Sequence, residues 1–80
     1  MSRDEIVELI TDKLAENLDD LEREDLDPEI SMRDLGVNSL DLIDVVQAVM
    51  RELSIKVPRS QLADIETISG LADKFAQHVD

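Results

Sequence analysis

Apolar residues recur along this chain at spacings of three and four in three stretches, the period of a helix with one buried face. The first stretch is Ile6, Val7, Leu9, Ile10, Leu14 and Leu18, and it predicts a helix from about Arg3 to Leu18. Ser2 and Glu5 fit a capping box, with serine as N-cap and glutamate three residues on. Asp4 and Glu5 fall in the first turn, where the helix dipole favours negative charge. The second stretch predicts a helix from Ser39 to Leu53, with Leu42, Val45, Val46, Val49 and Leu53 inward and Met50 at the edge. The third predicts a last helix from about Ile68 to His78, capped by Thr67, with Ile68, Leu71, Ala72, Phe75 and Val79 inward. Gly70 weakens that helix by roughly 1 kcal/mol against alanine at a mid-helix position, and by less near an end.

Residues 17–37 form a long connection. Its first half, Asp19 to Asp27, is acidic with scattered leucines, and Pro28 stops any helix from running through. Leu21, Leu26, Ile30, Met32 and Leu35 are expected to pin it to the core. A loop of this length in a small domain normally signals function or a misassigned element. Calcium binding does not explain it: registers starting at Asp19, Asp20 or Asp25 each put the wrong residue where an EF-hand needs glycine or glutamate. A solvated acidic face is the simpler account. Further on, Ser54-Ile55-Lys56-Val57-Pro58 is a short extended connection ended by proline, and a short third helix is expected over Arg59 to Asp64. The expected architecture is all-α: an up-and-down four-helix bundle of three main helices and one short one. A long loop joins the first two helices, and one domain spans residues 1–80.

Composition narrows the function classes. Eighty residues lie near the lower end of what buries a core unaided, and with Phe75 the lone aromatic that core is aliphatic. There is no cysteine, hence no disulfide and no thiolate metal site. Eight Lys and Arg stand against twenty Asp and Glu, a formal charge of −12. Such a surface repels nucleic acid and anionic lipid and favours basic patches on protein partners, although acidity serves solubility as well. No apolar run approaches the ~20 residues of a membrane span. The first five residues hold no apolar signal region. A cytoplasmic monomer with no nucleic-acid or membrane partner is expected.

The chemistry concentrates at Asp34-Leu35-Gly36-Val37-Asn38-Ser39-Leu40-Asp41. Gly36 frees the backbone to turn, and Asn38 is a strong N-cap. Ser39 then occupies the first helical position, at the partially positive end where a phosphate ester is favoured. Taken alone, a serine at a helix start is far more often a cap or a solvent residue. As a nucleophile it would need a base, and the sole histidine, His78, lies at the far end of the chain with no Gly-x-Ser-x-Gly elbow in support. No catalytic residue and no metal ligand set is expected.

These residues resemble the modification site of the acyl carrier protein family, Asp/Glu-Leu-Gly-x-Asp-Ser-Leu at the start of the second helix. Leu35, Gly36, Ser39 and Leu40 match, whereas Asn38 replaces the family's usual Asp and so keeps the cap but loses a charge. The segment at Ser54 resembles the family's Gly-Ile-x-Ile-Pro, with Ser54 in place of glycine. The long first loop is also a family trait, and the resemblance covers nearly the whole chain. It implies a non-catalytic carrier whose Ser39 bears 4′-phosphopantetheine through a phosphodiester, with a terminal thiol holding acyl groups as thioesters. It implies as partners a phosphopantetheinyl transferase and acyl-transferring and condensing enzymes with basic docking patches, in fatty acid, polyketide or a specialised pathway. The docking face it implies is Leu40, Asp41, Ile43 and Asp44, although spacing alone reads Leu40 and Ile43 equally well as core. The family is frequently acidic in its third helix, where this chain has Arg59, Ser60 and Gln61, so contacts there do not carry over. An acyl chain held between the helices would be lined by Leu42, Val46 and Phe75; a fully packed interior is the other reading. Two further readings are an aminoacyl carrier of the same fold and an unmodified acidic helical adaptor.

Overall fold

The computed structural model describes residues 2–79. Its helices are α1 (Arg3–Asn17), α2 (Ser39–Leu53), α3 (Arg59–Leu62) and α4 (Ile68–Ala76), with a 3-10 turn at Arg23–Asp25. Among the described residues there is no strand, only an isolated antiparallel bridge between Ser31 and Thr67. The architecture is the all-α bundle with a long first loop that the periodicity predicts. No helix among the described residues is long and apolar enough to cross a membrane.

Each main helix starts on a side-chain cap, which satisfies donors that the helix itself cannot. At α1 the capping box is complete: the Glu5 N–H donates to Ser2 Oγ (3.3 Å) and the Ser2 N–H donates to Glu5 Oε1 (3.1 Å). Asn38 caps α2 and Thr67 caps α4. Helix α1 packs against both α2 and α4 and so forms the centre of the bundle. Ile6, Ile10 and Leu14 of α1 meet Val45 and Val49 of α2 and Ile68, Leu71, Ala72 and Phe75 of α4, all buried. Burying a side chain of this size contributes about 1.5–3 kcal/mol, so this aliphatic cluster with Phe75 inside it carries most of the stability.

Helix ends differ from expectation by one or two residues at most. Helix α1 stops at Asn17, α3 at Leu62 and α4 at Ala76; beyond it the His78 N–H continues into a turn by donating to the Phe75 carbonyl (3.0 Å). Leu42 and Leu53 are only half-buried, so the inward stripe of α2 is narrower than its spacing suggests. Gly70 lies in the first turn of α4, where a Cβ would come within 3.1 Å of Ile65 Cγ2 and 3.2 Å of Thr67 Oγ1. It is therefore a close-approach position, not a simple weakness. At the end of α2, Ser54 adopts a left-handed conformation (φ 55°). The Ile55 N–H reaches back to the Met50 carbonyl (3.0 Å) and the Ser54 N–H to that of Arg51 (3.3 Å), the two bonds of a Schellman stop.

The long loop is stitched down in two places. Arg23 pairs with Glu8 and Asp12 on α1. Nearer α2, the Met32 N–H donates to the Glu66 carbonyl (2.7 Å) and the Ser69 N–H to the Pro28 carbonyl (3.0 Å), while Ser69 Oγ donates to Glu29 Oε1 (2.5 Å). Leu26 and Met32 are buried, and Leu21 and Leu35 pack partly against the core. Ile30 does not pin the loop, contrary to expectation, since it is 42% exposed. The reason is the turn beneath it. Asp27 Oδ1 accepts from the Glu29 N–H (2.9 Å) and the Asp27 carbonyl from the Ile30 N–H (3.2 Å), so these two bonds fix the corner and leave the Ile30 side chain outside.

Candidate functional site

The approach to α2 is a compact turn. The N–H of Leu35 donates to the Ser31 carbonyl (3.1 Å), that of Gly36 to Arg33 (3.1 Å) and that of Val37 to Met32 (2.9 Å). Gly36 has φ 94°, a conformation that side chains rarely adopt, and a Cβ there would meet no atom within 4 Å. Glycine is needed here for its backbone and not for space. Val37 is buried and anchors the turn; the next three residues, Asn38, Ser39 and Leu40, are exposed.

Asn38 Oδ1 accepts from the Asp41 N–H at 2.9 Å, and the Asn38 carbonyl accepts from the Leu42 N–H at 3.0 Å. The cap therefore works without the family's usual aspartate. No hydrogen bond from the N–H groups of Ser39 or Leu40 to a protein acceptor is found among the described residues. Ser39 thus presents its hydroxyl to solvent beside free donors at the positive end of a fifteen-residue helix.

One wall of Ser39 opens into a solvent-connected groove of about 870 Å³. Leu42, Ile43, Val46, Gln47 and Met50 of α2 form one side; Met32, Arg33 and Gly36 of the loop, with Val57, Arg59, Leu62 and Ile65 further on, are among the residues opposite. Phe75 is fully buried and does not line the groove. Leu42 and Val46 do, so of the three residues expected to line an acyl chain between the helices two face an open cleft along α2 and Phe75 belongs to the packed core.

The expected docking residues divide. Ile43 is half-buried on the groove wall, whereas Leu40, Asp41 and Asp44 do not line the groove. Leu40 is 75% exposed, and among the described residues it and Ile30 are the large apolar side chains left in solvent. Leu40 is accordingly no core residue. Its spacing to Asp44 places both on one helical face. His78 is not brought to Ser39: its Nδ1 lies 3.1 Å from the Lys74 carbonyl within its own turn of chain, and it does not line the groove. Among the described residues no three His, Cys, Asp or Glu side chains gather as a metal ion would need. Sequence reasoning missed Arg33 and Arg59 as groove residues. They come from segments with no shared periodicity, so nothing in the linear order joins them.

A family model described as phosphopantetheine attachment site matches residues 5–75. The polyketide biosynthesis acyl-carrier-protein AcpK of Bacillus subtilis (strain 168) is 30% identical over 73 residues, covering 91% of this chain and 89% of that protein. An acyl carrier protein of Saccharopolyspora erythraea is 44% identical over 69 residues, 85% of this chain and 72% of the relative. Among solved structures, that of the curacin biosynthetic pathway HMG synthase in complex with acetyl donor-ACP holds a chain that superposes with a TM-score of 0.85. The two are 34% identical, over 96% of this chain and 99% of that one. Members of this family are carriers and not catalysts. A capped helix start with a solvent-facing serine agrees with what the relatives have in common: the chain belongs to the phosphopantetheine attachment family, as an acyl carrier protein of fatty acid or polyketide synthesis with covalent 4′-phosphopantetheine as its cofactor.

Proposed function

We propose that Ser39 is the attachment point of the prosthetic group and that the whole chain, residues 1–80, acts as one carrier domain. The observation that carries this reading is the exposed Ser39 at the first position of α2, next to the Gly36 turn and the open groove. When bound, the group supplies a thiol that holds acyl units as thioesters. This chain's own residues do the rest: Asn38 fixes the helix start, the free N–H groups of the first turn favour a phosphodiester, and Gly36 supplies the positive-φ turn that leads into the helix. The tether raises the local concentration of cargo at each enzyme that docks.

Leu40, Asp41, Ile43 and Asp44 are the docking residues in this reading. An exposed leucine beside two carboxylates suits partners with an apolar notch and a basic rim: a phosphopantetheinyl transferase, then acyl-transferring and condensing enzymes. Rim charge speeds encounter more than it tightens a complex, as a protein that must leave each station requires. Partners of the synthase kind fit the likeness to the carrier–synthase complex, and the polyketide relative favours polyketide over housekeeping fatty acid synthesis. In this reading the carrier is a cytoplasmic monomer, and its charge of −12 keeps it from nucleic acid and anionic membranes.

Co-expression with a phosphopantetheinyl transferase tests the attachment site by intact mass. The wild-type protein should gain one prosthetic group, and Ser39→Ala should gain none while keeping its helical circular dichroism. A wild-type mass unchanged by several transferases would return the chain to the adaptor reading.

A further inference from the structure

We propose that the partner-facing surface along α2 and α3 carries two opposite signs, acidic beside Ser39 and basic at the corner from Arg51 to Arg59. The basic corner takes a carboxylate cluster on the surface of an enzyme that docks there. The inference rests on Asp41 and Asp44 being docking residues, and it adds a second requirement on the partner.

The corner is one piece of backbone folded onto the end of α2. The Ser54 N–H donates to the Arg51 carbonyl (3.3 Å) and the Ile55 N–H to that of Met50 (3.0 Å). The Val57 N–H then donates to Met50 Sδ (3.3 Å), and the Val57 side chain is buried. Arg51, Lys56 and Arg59 stand on this frame, and all three are exposed. Between Arg51 and Arg59 the sole carboxylate is Glu52, which Lys13 of α1 pairs with (3.6 Å). None of the three cations makes an ion pair among the described residues. A chain with a formal charge of −12 thus gathers three of its eight basic residues at one corner.

Helix stability does not account for them all. A cation suits the last turn of a helix, which explains Arg51 on α2 and likewise Lys74 on α4. Lys56 lies in neither helix. Arg59 opens α3, where the dipole favours an acid, and α3 has neither an acid in its first turn nor a side-chain cap. Arg33, also without an ion pair, has Asp34 next to it in the chain and is not part of this run.

Distance keeps the two signs apart. From Asp41 to Arg51 the helix rises about 15 Å, and Lys56 and Arg59 follow beyond. Screening in physiological salt acts over about 8 Å, so a partner meets each sign by itself and the net charge does not erase the corner. A uniformly basic surface suits Asp41 and Asp44 but meets like charge at the corner. An enzyme with basic residues near its active-site mouth and carboxylates farther along matches both ends, and does so in one orientation only. A nucleic acid fits worse, since the acids of α2 and the first loop repel whatever extends past the corner. A second copy of the chain would bring its acidic Asp19–Asp27 segment, yet with it a further −12.

Capped tetraglutamate and tetralysine stand in for the two partner patches, and the apo protein is followed through its backbone amide resonances at low ionic strength. Tetraglutamate should move the amides of residues 51–59 and leave those of 40–45 in place; tetralysine should do the reverse. Both responses should fade at physiological salt. The combined Arg51→Gln, Lys56→Gln, Arg59→Gln variant should lose the tetraglutamate response while keeping its helical circular dichroism. For a condensing enzyme that accepts the loaded carrier, the same variant should raise KM and leave kcat unchanged. No response to tetraglutamate at the corner, or one spread evenly over the chain, overturns the proposal. So does an unchanged or lowered KM, which means that the enzyme's surface there is not acidic. Corner amides that move with protein concentration alone, together with those of residues 19–27, also overturn it by assigning the corner to a second copy. The docking reading is tested separately: Asp41→Asn with Asp44→Asn should lower kcat/KM for a phosphopantetheinyl transferase about tenfold through lost steering. An unchanged value overturns that reading, and the two-signed surface with it, whatever the peptides show.

Discussion

The two sides of this bundle solve opposite problems. Around α1 and α4 the chain closes upon itself: Phe75, Ile6, Ile10 and Leu14 are fully buried, and Arg3, Lys13 and Arg23 each find a carboxylate. Around the front of α2 and α3, the chain leaves things undone. Leu40 stands in water, Leu42 is half-covered, a groove stays open, and Arg33 and Arg59 make no ion pair among the described residues. A small domain has about 5–15 kcal/mol of net stability to hold it together. Here one side supplies that stability, which leaves the other side free to expose what ligands and partners need.

Substituting across that divide should give the largest contrast. Phe75→Ala opens a cavity in the packed half and should lower unfolding stability by about 3–5 kcal/mol, enough to leave much of the protein unfolded in a urea titration. Leu40→Ala on the open side should move the same midpoint by no more than about 0.5 kcal/mol, while weakening partner binding. Comparable losses from both would erase the distinction.

Ser54 sharpens the comparison, because it ends α2 in a left-handed conformation that costs a side-chain-bearing residue about 1–2 kcal/mol. Ser54→Gly should raise stability by about 1 kcal/mol in the same titration without altering loading at Ser39. A loss of stability would mean that the serine side chain earns its place in a way its hydrogen bonds do not reveal.

The smallest effect belongs to pH. The Ser2 backbone N–H, and then the Ser2 hydroxyl, hold the Glu5 carboxyl below its ordinary 4.5. A carboxyl lowered in the folded state stabilises it above the ordinary value, and that contribution fades as pH falls through the lowered one. Glu5→Gln should therefore lose less stability than the parent protein between about pH 5 and about pH 3, by urea midpoints at several pH values. Identical acid slopes would remove the capping box from the list of what holds α1.

What could be read before folding follows from what is local. Helix starts were legible because Ser2, Asn38 and Thr67 act within three residues of themselves, and α2 runs over its expected span for that reason. The Gly36 turn and the exposure of Ser39 were legible on the same grounds. Ile30 was misread because a loop has no period: whether its side chain faces inward depends on the Asp27 turn and on Ser69, thirty-nine positions away. The groove was hidden for a related cause, since residues 31–39 and 57–66 meet only in space. Ser54 was seen as a departure from glycine, yet its positive φ became visible only with the Schellman bonds in place.

The stitch between the serine turn and the start of α4 bears on anyone wishing to shorten this chain into a labelling tag. Cutting before Glu66 would remove the acceptor for the Met32 amide and the bridge from Thr67 to Ser31, and with them the frame on which the Gly36 corner is built. A peptide bearing α2 and its preceding turn keeps the recognisable letters but not the scaffold beneath them. The smallest portable version extends through α4.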